Sequence, residues 1–110
     1  MVKTVQRPWG NFKQFALNKK CTVKIIEVKK NEELSLQKHK QRVENWYFIT
    51  SGYFQISKKV RKVKKGELVK IPKNTPHRII ARDKDVLVLE ISFGNFREGD
   101  EIRLEDKYGR

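Results

Sequence analysis

The sequence predicts an all-β sandwich or barrel, and three observations lead there. Short runs rich in β-branched and aromatic residues recur at roughly 8–12-residue spacing along the 110 residues. Clusters of turn-forming residues separate those runs. No segment carries the apolar recurrence of an amphipathic helix.

Taken in order, Thr22 to Val28 (TVKIIEV) is β-branched and extended, and Lys29 to Glu33 is a polar turn. Leu34 to His39 is the next strand, and Lys40 to Val43 reads as a short break. Glu44 to Thr50 (ENWYFIT) is strongly β, and Ser51-Gly52 turns it into Tyr53 to Ser57. The run from Lys58 to Lys65 reads as an exposed hairpin with Val60 and Val63 turned inward. Gly66 leads into Glu67 to Ile71, and the prolines of Pro72 to Pro76 exclude a central strand there. His77 to Ala81 and Val86 to Phe93 complete the set. No repeat or linker marks a second domain, so residues 1–110 are expected to form a single domain. An N-terminal arm, 1–20, and a C-terminal tail, 94–110, are expected to pack on the barrel. Trp9 and Phe12 would grip for the arm, Ile102 and Leu104 for the tail.

Composition narrows the function classes. No apolar run approaches the ~20 residues a bilayer demands, so no membrane partner is expected. The N-terminal MVKTVQRPWG has no apolar signal core, and the single cysteine, Cys21, can form no internal disulfide. A cytoplasmic protein with Cys21 as an ordinary strand residue is the expectation. The formal net charge is +13. Its lysines are spread along the whole chain, and the densest run carries no aromatic residue on which a base would stack. We therefore read the charge as a solvated surface, with no nucleic-acid partner.

The chemistry lies in LSLQKHKQRVENW and IPKNTPHRI, which hold both histidines of the chain. Gln37 and His39 are two apart, so a strand turns both to one face. Glu44 opens the following apolar run, and His77 follows the proline-bounded turn. Two imidazoles, a carboxylate and an amide oxygen form a mixed nitrogen and oxygen set. It suits one divalent transition metal, zinc first, with manganese, iron, nickel or cobalt as alternatives, and is too nitrogen-rich for calcium. Trp46 and Phe48 share the parity of Glu44, so they line the same cavity or form plain core. Glu90 lies opposite in parity to Leu87, Leu89 and Ile91 in VLVLEIS. If it faces inward, it is a candidate general base, with Lys24 and Lys38 as alternatives.

These residues resemble the cupin family. Gln37-x-His39-x4-Glu44 fits the core of the first cupin motif, G-x5-H-x-H-x3,4-E-x6-G, with Gln37 at the usual first histidine. Gly52 closes that motif one residue late, and Glu32 or Glu33 stands near its missing first glycine. Gly66-x5-Pro72-x-Asn74-x2-His77 fits the second motif, G-x5-P-x-G-x2-H-x3-N. Asn74 replaces a glycine there, which is tolerable because asparagine also enters the left-handed region, and Ala81 replaces the last asparagine.

Within the cupins the chain resembles the C-terminal isomerase domain of type II phosphomannose isomerase/mannose-1-phosphate guanylyltransferase proteins. RPWGNF, LSLQKHKQRVENW, IPKNTPHRI and FREGDEIRLEDKYGR carry the resemblance across nearly the whole chain. Lys38, Lys40, Gln41 and Asn45 stand where that family carries histidines. The resemblance implies a double-stranded β-helix and a metal held by Gln37, His39, Glu44 and His77. It implies interconversion of mannose 6-phosphate and fructose 6-phosphate through an enediol, and no guanylyltransferase activity. Arg103, Glu90 and Arg78 are the expected catalytic residues, and Arg110, Trp46 and Lys24 are expected against the substrate. A homodimer sharing edge strands is expected as well. The competing expectation is a cupin that binds a sugar or sugar phosphate without turnover, as partner of a separate nucleotidyltransferase.

Overall fold

The computed structural model describes residues 2–94 and 101–105, and every regular element among them is a β-strand. The first two, β1 (Lys3–Arg7) and β2 (Gly10–Gln14), form a hairpin of their own. The others are β3 (Cys21–Val28), β4 (Leu36–His39), β5 (Arg42–Phe48), β6 (Gly52–Ile56), β7 (Lys59–Val63), β8 (Leu68–Ile71), β9 (His77–Ile80), β10 (Val86–Gly94) and β11 (Glu101–Glu105). They build two antiparallel sheets, ordered β3-β10-β5-β8 and β11-β4-β9-β6-β7. From β4 to β10 the chain passes back and forth between the sheets. This winding makes a double-stranded β-helix, and it sets β4 and β9 of one sheet against β5 and β10 of the other.

Period-two alternation sorts the side chains of β5, where Arg42, Glu44, Trp46 and Phe48 are all buried. Val86, Val88, Glu90 and Ser92 do the same on β10. Toward one end the enclosed residues are apolar. Phe48, Val63, Ile79 and Val88 are each 0% exposed, and they pack with Phe54, Val69 and Ala81. Toward the other end the inward residues are polar, and the site forms there.

Several local expectations change. The expected break at Lys40 to Val43 is shorter, because β5 begins at Arg42. Val60 is 47% exposed while Val63 is fully buried, since residues three apart on a strand face opposite ways. Trp9 is 73% exposed and Phe12 40%, so neither grips the barrel. Phe15 makes that contact instead, its ring edge-on to Tyr47 with centroids 5.1 Å apart. In the tail, β11 joins the five-stranded sheet along β4, with Ile102 half-buried and Leu104 46% exposed.

Candidate metal centre

Strand register brings the candidate ligands together. Gln37 on β4 lies opposite His77 on β9, so both side chains rise on the same face. His39 follows two residues after Gln37 and shares that face. Glu44 projects from β5 in the other sheet and is paired with Ser92. The turn before β9 is fixed by Asn74, which has φ +58° and donates its backbone N–H to His39 O at 2.7 Å. Asparagine thus does take up the left-handed conformation of the motif's glycine.

The donor atoms converge. His39 Nε2 lies 3.4 Å from Glu44 Oε2, and His77 Nε2 lies 3.5 Å from Glu44 Oε1. All three residues are buried, and their ligand atoms lie within 4.8 Å of one another. Each imidazole thus faces a different oxygen of the Glu44 carboxylate.

The tautomers suit a cation too. His77 Nδ1 donates to Thr75 O at 2.7 Å, which turns Nε2 toward Glu44, as a lone pair in the neutral ring and as a donor in the protonated one. His39 Nε2 accepts from Arg42 Nη2 at 3.2 Å, because a guanidinium can only donate. Gln37 gives its Nε2 to Ser35 Oγ at 3.1 Å, leaving its amide oxygen for a cation. The residues present therefore fit a divalent transition metal.

Electrostatics divide the two inner carboxyls. Burial pushes Glu44 upward, but the hydrogen bond and charge of His77, then His39 and Arg42, outweigh it and hold the carboxyl at about 2. Trp46 Nε1 and Arg42 Nε donate to its two oxygens at 3.2 and 3.0 Å. Glu90 goes the other way, pushed up to about 7 by burial and by the charge of Glu44, against the pull of Lys24 and Arg42. Ser92 Oγ stands 3.4 Å from Glu44 Oε2 and 3.4 Å from Glu90 Oε1, bridging the pair.

A cavity of about 150 Å³ opens over this cluster, with Lys24, Arg42, Trp46 and Glu90 around the ligands and Ile26 and Leu34 as apolar wall. Lys24 reaches it because it lies opposite Glu90 across β3 and β10. Arg103 is exposed on β11, directly opposite Gln37. Arg78 alternates with His77 and turns away from the cavity. There it pairs with Glu33 at 3.1 Å and Glu105 at 3.0 Å and donates to Gln55 at 2.9 Å. Lys38 alternates with Gln37 and His39 and faces away as well. Arg110 lies outside the described residues. Asn45 lines a separate groove of about 390 Å³ on the outer face of its sheet, with Val43, Lys70, Pro72 and Phe93.

Arg42 and Ser92 are the participants that the sequence reading passed over. The signal for Arg42 was parity with Glu44, hidden by placing it in a break. Ser92 sits two residues beyond Glu90 on the same strand face, a relation visible once Glu90 is taken as inward.

Comparison with known proteins agrees with this architecture. The family of mannose-6-phosphate isomerase C-terminal domains matches residues 1–106. The chain is 33% identical to mannose-1-phosphate guanylyltransferase ManC of Salmonella typhimurium, over 100% of this chain and 24% of that protein. It is 36% identical to the alginate biosynthesis protein AlgA of Pseudomonas aeruginosa, over 96% of this chain and 23% of that protein. The chain thus spans about a quarter of the length of these relatives. Among solved structures, Bacillus subtilis oxalate decarboxylase superposes with a TM-score of 0.70 at 24% identity, over 78% of this chain and 24% of that one. The capsular polysaccharide assembling protein CapF of Staphylococcus aureus gives 0.69 at 18%, over 96% and 35%. These likenesses establish the cupin fold.

Proposed function

We propose that this chain, which belongs to the family of mannose-6-phosphate isomerase C-terminal domains, is a metal-dependent aldose–ketose isomerase acting on mannose 6-phosphate and fructose 6-phosphate. The observation that carries the reading is Glu90, a carboxyl held near neutrality in the same cavity as the ligand cluster. A divalent transition metal held by His39, Glu44 and His77 with Gln37, zinc first among the candidates, would supply Lewis-acid polarisation of the substrate's C1 and C2 oxygens. Glu90 takes the proton from C2 and returns it to C1, while the O2 hydroxyl proton passes to O1, so aldose becomes ketose through an enediol. Glu90 is buried in the cavity beside the ligand cluster, where a group that takes and returns a proton must stand. Ser92 links Glu90 to Glu44, and Trp46 holds Glu44 in place. Lys24 in the cavity and Arg103 beside Gln37 are the cations nearest to hand for the phosphate, with Arg110 a further candidate from the tail.

A second reading has its own support: the matched relatives are about four times longer, and several bear the name guanylyltransferase. On that reading this chain binds the sugar phosphate without turnover, beside a separate nucleotidyltransferase. A homodimer is part of the proposal in either case. Its support is edge strand β3, which leaves Val23 56% and Ile25 67% exposed.

The deciding experiment strips the protein with chelator and reloads it separately with zinc, manganese, cobalt, nickel and iron(II). Formation of fructose 6-phosphate is then followed. Turnover restored by metal and lost in His77→Ala is the expected outcome. A folded, metallated protein without turnover, binding mannose 6-phosphate in titration, selects the second reading.

A further inference from the structure

Arg42 sits inside the ligand cluster. It is 5% exposed, and it donates from Nε to Glu44 Oε2 at 3.0 Å and from Nη2 toward His39 Nε2 at 3.2 Å. A guanidinium has no acceptor and keeps its proton, so His39 and Glu44 must each receive it through a lone pair. The lone pair on His39 Nε2 is the only one that ring offers, and a cation at this centre would need it; Glu44 Oε2 lies 3.4 Å away. A lone pair serves one electrophile at a time, and like charges a few ångströms apart repel strongly where water is scarce. Arg42 and a divalent cation are therefore rivals for His39 Nε2, and their charges oppose each other beside Glu44. The guanidinium also lines the cavity, where Lys24 adds further positive charge. An anionic oxygen of a ligand there is a better partner for it than a neutral imidazole.

We propose that Arg42 couples cation and anionic ligand at this centre: it competes with the cation until a ligand oxygen in the cavity engages it. Each of the two ligands then raises the other's affinity, as linkage requires. The inference rests on the metal reading above and adds to it a dependence of metal affinity on bound anion.

The test titrates cobalt(II) into the whole chain by calorimetry and by the visible absorption of the coordinated ion. Titrations run with and without mannose 6-phosphate, on the wild type, Arg42→Met and Arg42→Lys. The wild type is expected to bind cobalt about tenfold more tightly when mannose 6-phosphate is present, within the ordinary range of coupling between sites. Arg42→Met is expected to bind cobalt tightly without the sugar phosphate and to lose the response to it. Arg42→Lys keeps the charge without the two-pronged grip, so it should retain only part of the response. A full response in either folded variant, or weaker cobalt binding by Arg42→Met, overturns the coupling and leaves Arg42 as a support for Glu44. If the wild type binds no cobalt under any condition, the metal reading falls and the coupling with it. Cobalt binding lost in His77→Ala but present in the Arg42 variants separates the two failures.

Discussion

A carboxyl only 7% exposed and close to a second carboxylate is costly to ionise, and Glu90 is in that position. Its pKa in the folded protein lies near 7, above the ordinary 4.5. Between those two values the folded state binds more protons than the unfolded one, so its contribution to stability declines as pH rises across that window. Glu44 has the opposite sign. Its pKa near 2 gives stability that is present above 4.5 and is lost as pH falls toward 2. Glu90→Gln should therefore stabilise the metal-free protein at pH 8 by about 2 kcal/mol, a gain that shrinks to nothing near pH 4. Thermal melts across pH measure it. The same variant should lose roughly 10²-fold or more in isomerase kcat with its fold intact. A variant that gains no stability at pH 8 would place Glu90 in a more solvated setting than its burial implies. Of this pair, Glu90's inward position was readable as a strand-parity alternative, but its shifted pKa was not. That shift comes first from burial and then from the charge of Glu44, forty-six positions away in sequence and one strand away in the sheet.

The strand pairs of the barrel hold the ligand positions through tight packing between elements. Gly52 opens β6, and a Cβ built there would lie 2.8 Å from both methyl groups of Val86 on β10. Its backbone has no unusual φ, so the requirement for glycine here is one of space. Gly52→Ala should cost about 1–3 kcal/mol through overpacking, read by chemical denaturation, with metal affinity changed far less. The sequence pointed to Gly52 as a turn and as the close of a motif, but its steric role needed Val86 beside it. Element boundaries were the weaker part of the reading. Arg42 was lost to a supposed break because lysine, glutamine and arginine in sequence carry no β signal, while pairing with Gly94 of β10 makes the residue extended. Val60 departs for the converse reason: its apolar side chain predicts an inward position, but its parity opposes that of Val63 and turns it to solvent.

On the whole-molecule scale, apolar surface left uncovered is what calls for explanation. Val23 and Ile25 on β3 and Val43 on β5 are exposed on one outer sheet face, and Trp9 and Leu17 are exposed in the N-terminal hairpin and the residues after it. An isolated two-stranded hairpin is marginal in water, and an exposed edge strand invites pairing. The net charge of +13 on each copy opposes self-association, with less force as salt screens it. Sedimentation velocity at micromolar concentration and physiological salt should therefore show a dimer that loosens as salt is withdrawn. A monomer at every salt concentration would sink the homodimer proposal. The charge itself resides where the sequence placed it, on solvated positions such as Lys59, Arg61 and Lys62 of β7.

The fold class, the order of most strands and the cluster of His39, Glu44 and His77 were legible in the amino-acid sequence. Period-two alternation and turn residues are local signals, and the two motifs space their ligands along strands whose side chains alternate. Partners across strands came only with the three-dimensional pairing. It gave Arg78 its ion pairs with Glu33 and Glu105, and it set Ser92 of β10 beside Glu44 of β5 and Glu90 within reach of the ligand cluster. Those outcomes depend on which strand lies beside which, and cross-strand register is set by long-range pairing that no local run of residues encodes.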